Sequence, residues 1–215
     1  MNMLIIMIKG FSKTGKTTTV TALVRELRSR GYSVGTVKDI HYEGFRADSP
    51  GTDTFKHMEA GACRVTGRGI RETALITDRQ MTIDEILKYY KEDFVILEGD
   101  SGLKCPTIIT GRTEEDVEKR MCPEAVAVSG IIADSMTEYN GLPVINGVTE
   151  VKKLADLVEK KTAAAEDELD VQLTIDGEDI WMVPFVKKTL KNVVVGAVKA
   201  LDGYEDGKEI IIKIK

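Results

Sequence analysis

An α/β fold, a mostly parallel sheet flanked by helices, is what this sequence of 215 residues predicts. Three observations carry that prediction. Short aliphatic runs recur along the chain at the length of strands buried on both faces, which is how parallel strands read. Between them lie segments with apolar residues at helical spacing, so strands and helices alternate. The rhythm changes only after residue 168, where two strands, a helix and a further strand suggest a small ββαβ unit.

The first strand is "MLIIMI", which opens into the Gly-rich "GFSKTGKTTTV". Val20, Leu23, Val24 and Leu27 then fall at i, i+3, i+4 and i+7, one face of a helix, and Gly31 supplies its left-handed stop. "YSVGTVKD" returns as a second strand and completes a βαβ unit with an expected right-handed crossover. Residues 40–52, rich in Gly, Pro, Asp and Ser, read as a long loop, followed by a short helix over residues 53–61. Thr82 and Glu85 form a capping box ahead of Ile83, Ile86, Leu87 and Tyr90, so a helix leads into "FVILEGD". "PTIIT", "AVAVSGIIA" and "PVIN" read as further strands, Thr113 starts a helix, and residues 148–160 close the first domain, residues 1–162, as a helix.

"EKKTAAAEDELD" fits either the tail of that helix or a linker. Beyond it, "VQLTIDGEDIWM" is a hairpin signal with Asp176-Gly177 at the turn. Pro184 begins a helix with Val186, Leu190, Val193, Val194, Ala197 and Leu201 on one side, Gly203 ends it, and "KEIIIKIK" closes the chain as a strand. Residues 168–215 are too few to bury a convincing core alone, so the unit is expected to dock on the first domain or on another subunit. Trp181 and Phe185 are its expected core or interface anchors.

Composition excludes several classes. With 42% apolar and 30% charged residues the chain is neither disordered nor fibrous, and its net charge of -5 argues against an extended nucleic-acid or membrane-surface partner. No apolar stretch approaches the ~20 residues that span a bilayer, and "MNMLIIMIKG" is too short for a signal peptide, so a cytoplasmic setting is expected. Cys63, Cys105 and Cys122 are odd in number and lack CxxC spacing, which points to reduced thiols rather than a disulfide framework or zinc site.

Gly10, Gly15, Lys16 and Thr17 match G-x-x-x-x-G-K-[ST] after a strand and at the start of a helix, the context that motif requires. The fold is therefore expected to be P-loop NTPase-like. Successive backbone N–H groups form an anion nest at the positive end of the helix. Lys16 reaches the β and γ phosphates, the Thr17 hydroxyl is the expected Mg²⁺ ligand, Thr18 adds a donor to the α phosphate, and Lys13 adds positive charge. Glu98, at the end of a buried strand, is the second metal or water contact, with Asp100 in reserve and Asp39 a candidate for holding a metal-bound water. Lys16 and Glu98 are thus the catalytic candidates. His41, just beyond a strand end, is the better candidate of the two histidines.

Four stretches in order carry a family resemblance: "GFSKTGKTTTV"; "VGTVKDIHYEGFRADSPGTDTFKHMEAGA"; "FVILEGDSGLK"; and "IADS" followed by "LPVINGVTEVKKLADLV". Over residues 2–160 the chain resembles the molybdopterin-guanine dinucleotide biosynthesis protein B (MobB) family, GTP-binding P-loop proteins of molybdenum-cofactor synthesis. The resemblance implies that Gly10, Ser12, Lys13, Thr14, Gly15, Lys16, Thr17 and Thr18 bind phosphates and Mg²⁺, with Glu98 and Gly99 as the family's Glu-Gly. It places Asp48, Pro50, Gly51 and Asp53 on a loop facing the nucleotide, and Ala133-Asp134 near the guanine. It also implies a homodimer that assists a molybdopterin guanylyltransferase or a molybdopterin-dependent apoenzyme, with weak GTP hydrolysis. Lys38 and His41 are all that this chain keeps of the family's Lys-His-Thr-His-His, and Lys104 is displaced from the Lys of Glu-Gly-Phe-Lys. Residues 168–215 lie outside the common pattern.

A phosphate loop does not read the base, so an ATP-dependent small-molecule kinase or ligase stands as the alternative. Such an enzyme needs cations on a lid, and residues 99–120 hold Lys104, Arg112, Lys119 and Arg120. A signal-recognition-type GTPase is disfavoured, because the chain has neither Asp-Thr-Ala-Gly-Arg nor Thr-Lys-x-Asp, and "DSPG" follows a long loop rather than ending a strand.

Overall fold

A computed structural model describes residues 3–167, 171, 173–175, 177–180, 184–199 and 201. In chain order its strands are β1 (Leu4–Gly10), β2 (Val34–Lys38), β3 (Arg64–Arg68), β4 (Thr73–Thr77), β5 (Phe94–Glu98), β6 (Thr107–Thr110), β7 (Ala125–Ser129), β8 (Glu138–Tyr139), β9 (Leu142–Pro143), β10 (Leu173–Ile175) and β11 (Glu178–Ile180). The helices are α1 (Lys16–Ser29), α2 (Asp53–Glu59), α3 (Ile83–Leu87), α4 (Glu114–Glu118), α5 (Val151–Asp167) and α6 (Pro184–Val198), with a 3₁₀ turn at Ile131–Asp134. Five strands form one parallel sheet in the order β2-β5-β1-β6-β7, so β1 lies at its centre between β5 and β6.

Side-chain alternation along the strands distributes the core to both faces. Ile6 and Ile8 of β1, Phe94 and Ile96 of β5 and Ile108 of β6 meet Val20, Leu23 and Leu27 of α1 and Leu154 and Val158 of α5. Met7, Val95 and Leu97 face the other way, where Ile83 and Leu87 of α3 pack, and Ile109 and Val128 meet Val117 of α4 and Ile132. Leu23 and Leu27 are fully buried, which stabilises the α1 docking by roughly 2 to 3 kcal/mol each. Arg30 fastens α1 to α5 through Asp156 and Glu159. The α/β architecture with helices on both faces is therefore as expected.

Several elements differ from the sequence expectation. Residues 62–81 contain an antiparallel hairpin, β3 with β4, for which the sequence offers no strand pattern. The helix behind the Thr82–Glu85 capping box ends at Leu87, so Tyr90 lies beyond it. Tyr90 instead covers Gly35 of β2, where a Cβ would lie 2.4 Å from the ring, and its hydroxyl donates to the Thr36 carbonyl at 2.7 Å. "AVAVSGIIA" is a strand only as far as Ser129, because Gly130 at φ 89° turns the chain into the 3₁₀ segment. "PVIN" joins the sheet only through the Val128–Val144 bridge, since Leu142 and Pro143 pair with β8. The charged stretch after residue 158 is helical through Asp167, which resolves the choice between helix tail and linker.

In the C-terminal unit the antiparallel β10–β11 hairpin and α6 are present, with Gly177 at φ 89° in the turn. Asp176, Trp181, the Phe185 side chain, Gly203 and the expected final strand lie outside the described residues. Among the described residues no helix is long and apolar enough to cross a membrane. Cys63, Cys105 and Cys122 are all free thiols, and burial pushes the Cys105 thiol up to about 12.

Candidate functional site

The loop after the central strand is seated on the ends of β6 and β7. Thr14 is fully buried beneath it; its hydroxyl donates to the Phe11 carbonyl at 2.8 Å and lies 2.8 Å from the Thr110 hydroxyl. A Cβ on Gly10 would lie 2.3 Å from Thr110 Oγ1, and one on Gly130 would lie 2.2 Å from the Thr14 carbonyl oxygen. Ile131 N–H donates to that same carbonyl at 3.3 Å. Lys13 at φ 63° and Gly15 at φ 100° take the left-handed conformation that turns successive N–H groups toward one point, ahead of the α1 N-terminus.

Parallel register then brings an acid alongside. Ile8 of β1 pairs with Glu98, and Glu98 also pairs with Lys38 of β2. The Thr17 hydroxyl donates to Glu98 Oε1 at 2.6 Å, and the Lys38 ammonium is bonded to the same oxygen and lies 3.4 Å from Thr17 Oγ1. Burial acts to raise the Glu98 carboxyl, but the Lys38 and Thr17 hydrogen bonds and the charges of Lys38 and Lys16 outweigh it and hold it below its ordinary 4.5. Lys16 donates to the carbonyls of Gly10 and Phe11. Its ammonium is held below its usual range by burial, against the pull of Glu98 and with the push of Lys38 and Arg120.

A carboxylate and a hydroxyl converging beside a phosphate loop form a hard-oxygen donor pair that fits Mg²⁺ better than a softer metal. The Lys38 ammonium sits at the same two oxygens, so the pair already binds a cation. Among the described residues no cluster of three or more His, Cys, Asp or Glu side chains could hold a metal ion.

A cavity of about 470 Å³ gathers most of the candidates: Gly10, Ser12, Lys13, Gly15, Lys16, Thr17, Thr18, Lys38, His41, Glu98 and Gly99 line it. Asp39 lines it too, and Gly99 at φ 131° has no room for a side chain because a Cβ would lie 2.5 Å from Asp39 Cβ. Asp100 lines it as well and is paired with Lys9 at 2.7 Å, much as Glu98 is paired with Lys38.

The loop of residues 48–53 is placed differently. Asp48 lines an adjoining groove of about 1220 Å³, while Gly51 and Asp53 line neither. Asp48 accepts from the Ser49 N–H and the Thr52 hydroxyl, and Asp53 pairs with Lys56 on the exposed first turn of α2, so both organise the start of that helix. Asp134, on the 3₁₀ turn whose Ile131 abuts Thr14, accepts from the Asn146 side-chain amide at 2.7 Å and lies outside the cavity.

Of the four lid cations, Arg112 pairs with Asp116 and Lys119 with Glu115, as solvated helix residues do, and Lys104 lines neither cavity. Arg120 does line the phosphate cavity, stacked over Phe11 with its Cζ 4.2 Å from the ring centroid. No local spacing links residues so distant in sequence.

A parallel sheet with a phosphate loop on its central strand and an acid ending the neighbouring strand defines a P-loop NTPase-like α/β protein. Comparison with known proteins narrows this. The model of the family described as molybdopterin guanine dinucleotide synthesis protein B matches residues 5–134, and the chain belongs to that family. Two relatives carry provisional names as molybdopterin-guanine dinucleotide biosynthesis adapter proteins. One, from Bacillus subtilis, is 25% identical over 146 residues, covering 66% of this chain and 84% of that protein. The other, from Methanocaldococcus jannaschii, is 24% identical over 241 aligned positions, covering 99% and 97%, and so extends across the C-terminal unit. The crystal structure of Bacillus subtilis MobB superposes with a TM-score of 0.62 at 23% identity, over 74% of this chain and 98% of that one, which supports the fold.

Proposed function

We propose that the chain binds GTP with Mg²⁺ at this loop and serves as a nucleotide-binding adapter in the synthesis of molybdopterin guanine dinucleotide, for a molybdenum or tungsten cofactor. The observation that carries the reading is the meeting of Thr17, Glu98 and Lys38 at one oxygen pair beside the loop. In this reading the backbone of residues 10–16 and the Lys16 ammonium bind the phosphates, Thr17 and Glu98 hold the ion, and the ion neutralises phosphate charge. Asp134 supports guanine, since a carboxylate accepts from the N–H pair on the guanine edge and adenine offers no such pair.

Weak hydrolysis goes with the engagement of the acids. Against burial, Lys38 and Thr17 hold the Glu98 carboxyl below its ordinary range, and Lys9 does the same for Asp100, so each carboxylate has little affinity for a proton and is a weak general base toward water. The role is cytoplasmic, the assembly a homodimer, and the receiving partner a molybdopterin guanylyltransferase or a molybdopterin-dependent apoenzyme.

The adjoining groove favours a second reading, an ATP-dependent kinase or ligase, because it shares Lys38, His41, Glu98 and Asp100 with the phosphate cavity and has room for an acceptor substrate. Calorimetric titration of the purified chain with GTP, ATP and molybdopterin in Mg²⁺ separates the two. GTP preference is expected. Equal affinity or an ATP preference would overturn the adapter reading.

A further inference from the structure

Arg120 is a cation in the phosphate cavity without a carboxylate of its own. Lys38 is bound to Glu98 and Lys9 to Asp100, whereas Arg120 forms no ion pair among the described residues. Its Nε is buried without a hydrogen-bond partner, and its guanidinium carbon lies over the Phe11 ring, 4.2 Å from the centroid. The residue sits just past α4, where its N–H donates to the Val117 carbonyl at 3.1 Å, so a helix end and an aromatic platform both fix its position.

The position has a direction. Lys16, the ammonium that reaches the β and γ phosphates in a loop of this type, donates to the carbonyls of Gly10 and Phe11. The Phe11 backbone therefore lies at the Lys16 end of the cavity, and Arg120 is held against the ring of that same residue. The Arg120 charge is felt at Lys16, where, after burial and Lys38, it helps keep the ammonium below its usual range against the pull of Glu98. A guanidinium with one face on an aromatic ring keeps its planar N–H fork for bidentate phosphate binding, which a lysine cannot reproduce.

We propose that Arg120 binds the terminal phosphate of the bound nucleoside triphosphate from outside the phosphate loop, with Phe11 as the platform that positions it. The inference rests on the nucleotide-binding reading above and adds to it a means of telling triphosphate from diphosphate.

The test titrates the full chain, with Mg²⁺, against a non-hydrolysable GTP analogue and against GDP. Arg120→Ala is expected to lose about tenfold or more in affinity for the analogue and no more than about twofold for GDP. Arg120→Lys, which keeps the charge without the fork, falls between wild type and Arg120→Ala, and Phe11→Leu shows a smaller loss of the same selective kind. Equal losses for both nucleotides, or none, would overturn the proposal. If Arg120→Ala fails to fold, phenylglyoxal footprinting of the wild-type chain decides it: Arg120 is protected by the analogue and not by GDP, and equal modification overturns it. A wild-type chain that binds neither nucleotide would sink the nucleotide reading and this inference together. A wild-type chain that binds both, with an unselective Arg120→Ala, sinks this inference alone.

Discussion

The phosphate loop and the segment of residues 40–81 border the same cavity system and are built in opposite ways. The loop is shaped from below by distant parts of the chain: Thr14 is sealed against Thr110, and Gly10 and Gly130 approach their neighbours too closely for any side chain. The other segment is held by local devices, with Asp48 and Thr52 capping α2 and a two-stranded hairpin following. Its apolar side chains remain open, Tyr42 at 72%, Phe45 at 52% and Ile70 at 105% exposure, and α2 buries none of its residues. The contrast teaches that the phosphate-binding backbone is fixed by long-range packing, while the wall of the adjoining groove has freedom to repack.

The largest way to test that contrast is at the chemistry it protects. Lys16→Ala is expected to lower nucleotide affinity by two orders of magnitude or more while leaving the melting curve in place; retained affinity would show that the loop is not the site. Next comes stability: Gly10→Ala should cost about 3 kcal/mol, because backbone and Thr110 both obstruct its Cβ, whereas Gly51→Ala, with open space and only its φ of 93° against it, should cost about 1 kcal/mol. Chemical denaturation showing equal costs would break the comparison.

A smaller effect concerns Glu98. Its folded carboxyl is depressed, so the stability it contributes is present above its ordinary 4.5 and is lost as pH falls through its folded value. Lys38→Met removes the first hydrogen bond and charge that oppose burial, so infrared titration of the Glu98 carboxyl should move to higher pH. An unmoved titration would mean that Lys38 is a bystander. The smallest effect is expected at Glu85, whose carboxyl the Arg79 and Thr82 hydrogen bonds hold at about 2. Its contribution is lost as pH falls from about 4.5 through about 2, and Glu85→Gln should flatten the acid limb of thermal stability in that window only.

Much of the site was legible because it is written locally. Gly10, Gly15, Lys16 and Thr17 sit in one short run whose spacing follows from phosphate geometry, and Glu98 ends a strand apolar enough to be recognised as central. The β3–β4 hairpin was not legible, because Val65 is its only buried residue and "TGRGIRET" carries neither clean alternation nor a two-residue turn signal. Arg120 was legible only as one of four cations on a possible lid, since its place over Phe11 arises from the crossover that sets β6 beside β1. Asp48 and Asp53 came from the family resemblance, and it took the structure to show that Asp48 holds Thr52 at the α2 N-terminus while lining the adjoining groove, and that Asp53 pairs with Lys56.

The buried contact between Thr14 and Thr110 has a kinetic consequence. Because two hydroxyls deep in the sheet, and not the phosphates, determine the shape of the loop backbone, an arriving nucleotide meets a backbone already in place, and only the Lys16 and Lys38 side chains must exchange their partners. Capture is then governed by diffusion and by the cations around the rim, and the lifetime of the complex by how quickly Lys16 and its neighbours release the phosphates.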